Sequence, residues 1–110
     1  MKRAFSSPSR WATAAALALL ASGSMPALAD QALANSRNCM SCHAVERKVV
    51  GPSFKEIAAR YANDKGAADR LAAKIVKGGG GTWGAVAMPA NPQVTPDEAK
   101  RLAAWVLSQK

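Results

Sequence analysis

The sequence holds two cysteines, Cys39 and Cys42, three positions apart, with its single histidine, His43, immediately after them. A bridge between such close neighbours could not tie distant parts of the chain together. The disulfide framework that props up many small domains is therefore absent. The part of the chain that has to fold is short enough for this to matter. It is too small to bury much apolar surface without a staple, so a non-protein group at its centre is expected before any motif is read.

That part begins near residue 30. Lys2, Arg3 and Arg10 form a basic leader, and residues 11–21 are mostly apolar and carry no charge. Met25, Pro26 and the triplet Ala27-Leu28-Ala29 follow. This is the layout of a secretory signal peptide, with cleavage expected between Ala29 and Asp30. A membrane anchor would need about 20 apolar residues, and this run is far shorter. No cysteine follows the cleavage point to take a lipid, and no Arg-Arg pair marks a twin-arginine signal. The expected division is a leader over 1–29 and one domain over 30–110. The leader takes three of the fifteen basic residues and none of the seven acidic ones, leaving 81 residues with a charge of +5.

The domain reads as four helices without strands, since nothing alternates with period two and Pro and Gly clusters punctuate the chain. The first helix is expected over about 30–39, weakly amphipathic, followed by a loop over 44–52. The second opens at Ser53, which stands three residues before Glu56 as in a capping box, and Phe54, Ile57, Ala58 and Tyr61 line one face. The third covers about 67–77, with Ala68, Leu71, Ala72 and Ile75 as its buried stripe. Four glycines, 78–81, stop it, and a tight surface loop is expected there. Residues 82–94 are irregular. A loop that long in a small domain usually has a function. The fourth helix has Thr95 as N-cap, Pro96 at its first position and Glu98 completing a box. Its buried face is Ala99, Leu102, Ala103 and Val106, with Trp105 beside Leu102.

Cys39-Met40-Ser41-Cys42-His43 is C-x-x-C-H, the attachment pattern of c-type haem. Two intervening residues make about one turn, so the two thiols can each form a thioether with one vinyl group of the porphyrin. The adjacent imidazole then lies under the ring. A thioredoxin-like C-x-x-C would need a strand–helix context that is lacking. A zinc site would need four N or S ligands, and no second cluster exists. The cofactor expected is one covalently bound haem c. The second axial ligand follows by elimination from His, Met, Cys and Tyr. No other His exists, both Cys are used, and Tyr61 reads as core. Met1 and Met25 leave with the leader, and Met40 lies inside the attachment motif. Met88, in the irregular loop, remains as the partner of His43.

With these residues in place the chain resembles the small bacterial class I cytochromes c, of the cytochrome c-551 type, over nearly all of the domain. The resemblance rests on C-M-S-C-H-A at 39–44, V-G-P at 50–52, T-W-G-A-V-A-M-P at 82–89 and L-A-A-W-V-L-S-Q-K at 102–110. It implies an all-α fold of about four helices around one haem, with one-electron shuttling in the periplasm. It also implies further roles. The Pro52 carbonyl would accept the second ring N–H of His43. The Trp83 indole N–H would reach a haem propionate, and so would Lys74, where the family often has Arg. Asn91 would bond the Met88 sulfur, and Trp105 would pack the last helix against the first. Two positions depart from the family. Ala34 stands where an aromatic or large apolar residue is usual, and Asn38 where Gly precedes the first Cys, so a looser or shifted helix crossing is expected.

The positive charge raises nucleic acid as a partner, but export argues against it. Lys48, Lys55, Lys74 and Lys77 are candidates for a basic rim that steers acidic redox partners to the haem edge. The alternative is that they only keep the protein soluble. With both axial positions filled no substrate site is open, so a monomeric electron carrier is expected rather than an enzyme. A peroxidase, a gas sensor and a redox-inert haem protein are the competing readings.

Overall fold

The computed structural model describes Ala4 and residues 26–110. The basic leader and the apolar run, all but Ala4, lie outside the described residues. Four α-helices follow in order, α1 (Pro26–Ser36), α2 (Phe54–Arg60), α3 (Ala67–Lys77) and α4 (Pro96–Leu107), with a short 3-10 turn at Cys39–Ser41. Among the described residues there is no strand, only isolated backbone bridges at His43–Lys48 and Gly79–Met88, and no helix is long and apolar enough to cross a membrane.

The first helix is where the sequence expectation slips most. It starts at Pro26, ahead of the expected cleavage point, and ends at Ser36, short of Cys39. Proline suits a first helical position because its missing N–H has no intrahelical partner there. The helix stops because Asn38 takes a left-handed backbone, φ 69° and ψ 15°. That conformation costs an ordinary L-residue about 1–2 kcal/mol and is tolerated best by Gly, then Asn. The Gly-to-Asn departure is thus a matter of backbone hand. The crossing is not loose, since Ala34 is fully buried and α1 rests on α4.

The other helices obey their local signals. Ser53, itself buried, caps α2 by accepting the Glu56 N–H at 3.0 Å. Thr95 and Glu98 close a full capping box at α4, with bonds of 3.2 and 3.0 Å. Gly78, with φ 73°, ends α3. The stripe on α3 is displaced from expectation, because Ala68 is exposed and Ala67 is buried in its place.

The core gathers on α4, which meets α1, α2 and α3. Leu102, Ala103, Trp105 and Val106 pack with Ala34, Phe54, Ile57, Ala72 and Val94. Burying a side chain such as Leu102 contributes about 1.5–3 kcal/mol. The Trp105 ring also meets Phe54 of α2 edge to face at 5.2 Å, and it shares the core with Ala34 of the first helix. Two ion pairs fasten α1 and the residue that follows it to α4. Arg101 holds Asp30 at 2.9 Å, and Arg37 grips Glu98 through two bonds of 2.7 and 3.3 Å. This grip, with the Thr95 N–H, holds the Glu98 carboxyl well below the usual carboxylate range, at about 2.

Candidate functional site

The four helices do not close over a solid centre. They surround a largely apolar cavity that opens to solvent on one side. Ala34, Phe54, Ile57, Leu71, Ile75, Leu102 and Trp105 line it, so every helix contributes a wall. Tyr61, Leu71 and Ile75 are only partly buried because their apolar faces look into this space.

Cys39, Cys42 and His43 line one side. The left-handed Asn38 turns the chain out of α1, and the 3-10 turn that follows is tied by the His43 and Cys42 N–H groups to the Cys39 carbonyl, at 3.0 and 3.3 Å. Both thiols and the imidazole are thereby set within one tight turn. No disulfide joins the two sulfurs, and burial pushes the Cys39 thiol upward in pKa.

The imidazole is held on three sides. Its Nδ1 lies 2.7 Å from the Pro52 carbonyl oxygen, its face stacks on Phe54 at 5.1 Å, and Gly51 presses on it so closely that a Cβ there would come within 2.6 Å of the ring. A carbonyl only accepts, so Nδ1 carries the proton and the lone pair of the neutral ring is on Nε2. That leaves Nε2 as the nitrogen able to bind a metal.

Met88 lines the same cavity. Its backbone pairs with Gly79 in both directions, at 3.0 and 2.8 Å, closing the base of the loop between them. The glycine run is therefore more than a surface loop. Gly78 touches the backbone of residues 88–90, where a Cβ would meet Ala90 N at 2.6 Å and Met88 O at 2.7 Å, so only glycine lets the Met88 segment lie this close.

The remaining expected residues are divided. Pro52, Lys74 and Trp83 border the cavity and Asn91 does not. Asn91 donates through its amide N–H groups to the carbonyls of Ile75, at 2.8 Å, and Pro89, at 3.3 Å. It thus ties the Met88 segment to α3 through backbone. Of the four rim lysines, Lys74 is half-buried and lies over Gly79. Lys48 flanks a shallow groove with Val50 and Trp83. Lys55 is paired with Glu46 at 3.1 Å, and Lys77 is exposed at the end of α3.

Sequence reasoning did not single out Phe54 as a support for His43, or Arg60, whose guanidinium sits 4.8 Å over the Trp83 ring. The first could have been found from its place two residues after Pro52. The second joins distant segments and left no local signal.

A flat, largely apolar group with two vinyl arms fits these residues. Two thiols would anchor it, Nε2 of His43 and the Met88 sulfur would face its metal, and Trp83 and Lys74 would meet its acidic groups. The comparisons agree. The family model for cytochrome c matches residues 27–110. Cytochrome c-551 of Azotobacter vinelandii is 55% identical over 78 residues, covering 71% of this chain and 94% of that protein. Cytochrome c-552 of Nitrosomonas europaea is 51% identical over 98 residues, covering 89% and 93%. The crystal structure of wild-type Nitrosomonas europaea cytochrome c552 superposes with a TM-score of 0.71 at 50% identity, covering 73% of this chain and 99% of that one. The chain belongs to the cytochrome c family, as a small class I member of the c-551 type with one covalently bound haem c.

Proposed function

We propose that the protein is a periplasmic one-electron carrier between redox proteins of a respiratory or photosynthetic chain, and not an enzyme. Cys39 and Cys42 hold the haem by thioethers, and His43 and Met88 are its axial ligands. The observation that carries this reading is the fixed imidazole, with Nδ1 committed to Pro52 and Nε2 left for iron, in a cavity that Met88 also lines. Two protein ligands leave no coordination position for a substrate.

When bound, haem iron supplies reversible one-electron chemistry, and a soft thioether ligand raises the potential relative to a second imidazole. The chain's own residues set the conditions. Pro52, Phe54 and Gly51 keep the imidazole from turning, so little reorganises when the charge changes. The apolar walls exclude water. The Trp83 N–H and the Lys74 ammonium neutralise the propionates. Asn91 braces the Met88 segment through the Ile75 and Pro89 carbonyls, beside the Met88 sulfur it is expected to support.

The leader delivers the chain to the periplasm and is removed after Ala29, leaving a monomer with no membrane anchor. Partners dock at the cavity mouth, where Lys48 and Lys74 stand near the exposed Val50 and Val86. Such a mixed patch steers acidic surfaces and then buries apolar area. Protein-film voltammetry, with and without carbon monoxide, tests the reading. A reversible one-electron wave that ignores carbon monoxide is expected. A wave that shifts or collapses under the gas would point to a displaceable ligand and to a sensor or enzyme.

A further inference from the structure

The loop between Gly79 and Met88 is paired at its base and has little of its own to hold its tip. Gly81 and Gly84 both have positive φ, 91° and 120°, and open space around them. Among the described residues, one hydrogen bond from elsewhere reaches the segment 80–87, from Arg60 Nη1 to the Thr82 carbonyl at 3.4 Å. The same guanidinium lies over the next residue, 4.8 Å from the Trp83 ring centroid. Arg60 is the last residue of α2, an element anchored in the core by Phe54, Ile57 and Ala58. No carboxylate pairs with Arg60 among the described residues; its nearest ring is Trp83 of the loop, with the Tyr61 ring farther off at 6.0 Å.

We propose that Arg60 is a positioning residue that clamps the Trp83 tip of this loop over the cofactor cavity, and so keeps Met88 at the iron and outside ligands away from it. The inference rests on the His43/Met88 reading above. Trp83 lines the cavity together with Thr82, Val86 and Ala87 of the same loop, and its indole N–H is the group offered to the cofactor's carboxylates. A cation held on the outer face of the indole fixes the ring plane and with it the direction of that N–H. A ligand from solution has to lift the loop to reach the Met88 position, and lifting it breaks both Arg60 contacts. The Arg60 charge also favours the less positive, reduced iron, an influence that salt weakens.

The test uses the mature holoprotein as wild type, Arg60→Gln and Arg60→Lys. Imidazole is titrated into the oxidised form, and midpoint potentials are measured at low and high salt. Arg60 is exposed, so both variants keep the helical fold, which circular dichroism checks. Loss of an exposed cation–π contact and one hydrogen bond raises imidazole affinity about fivefold in Arg60→Gln, with a lower potential at low salt. Arg60→Lys, which keeps the cation over the ring, restores most of both. An Arg60→Gln protein with wild-type affinity and potential overturns the clamp. A wild-type protein that lacks the sulfur-to-iron absorption band refutes the ligation reading instead, and the two failures are told apart by that spectrum.

Discussion

Replacing Gly51 by alanine is the sharpest way to test how the imidazole is held. A Cβ at this position would sit 2.6 Å from Cε1, 3.0 Å from Nδ1 and 3.2 Å from Nε2 of His43, and the first of these forces the ring to shift. Phe54, stacked 5.1 Å away, limits how far the ring can retreat. The backbone cannot move freely either, because the Gly51 N–H is bonded to the Cys42 carbonyl at 2.8 Å. Overpacking of this kind costs about 1–3 kcal/mol. Pulling Nδ1 off the Pro52 carbonyl adds about 1 kcal/mol for a weakened hydrogen bond. A combined penalty of about 3 kcal/mol lowers the melting temperature of a domain this size by roughly 15 °C. Thermal unfolding of the oxidised holoprotein, followed by circular dichroism, measures it. The midpoint potential should move as well, because a tilted or unbonded imidazole is a different donor to iron. A Gly51→Ala protein melting within two or three degrees of wild type, at an unchanged potential, would refute the claim that Gly51 is there to admit the ring.

Glu98 should make stability pH-dependent in the acid range. Its folded pKa is depressed, first by the Arg37 hydrogen bonds, to about 2, so its contribution is complete above the unfolded carboxylate value near 4.5 and disappears as pH falls towards 2. Glu98→Gln should therefore show a shallower loss of melting temperature between pH 5 and 2.5, and an identical slope would contradict the assignment. At Asn38 the left-handed backbone predicts that Asn38→Ala costs about 1 kcal/mol while Asn38→Gly is neutral or stabilising. Equal effects of the two in chemical denaturation would show that backbone hand is not what Asn38 provides.

The parts of the fold legible in the sequence are those set by local chemistry. The third and fourth helices lie where a glycine stop and a complete capping box put them, since these signals act within a few residues. The start of α1 was not legible because alanine-rich sequence continues helically across the expected cleavage point with no cap to mark a boundary. Its end was hidden because Asn38 provides the left-handed turn that glycine would have announced. Ala68 was misplaced for a related reason. Alanine loses little on either face of a helix, so a stripe resting on it can rotate by one residue without cost.

The candidate site divides in the same way. Cys39, Cys42 and His43 are contiguous, so their grouping was plain, and Met88 followed from scarcity of alternatives. What places them is non-local. Gly78 against the Met88 backbone, Phe54 behind His43, Arg60 over Trp83 and Asn91 on Ile75 all join segments far apart or through backbone groups. The Asn91 amide, beside a bend, donates to the Ile75 and Pro89 carbonyls, contacts that no local sequence signal announces.

The measurement that bears most directly on the central claim is visible absorption of the purified holoprotein, wild type beside Met88→Ala, oxidised and then reduced under carbon monoxide. Ligation by His43 and Met88 predicts a weak far-red sulfur-to-iron band in oxidised wild type and a reduced spectrum indifferent to carbon monoxide. In Met88→Ala the band should be gone and the reduced spectrum should shift with the gas. A wild-type protein without the band, or a Met88→Ala variant that keeps it, would contradict the account.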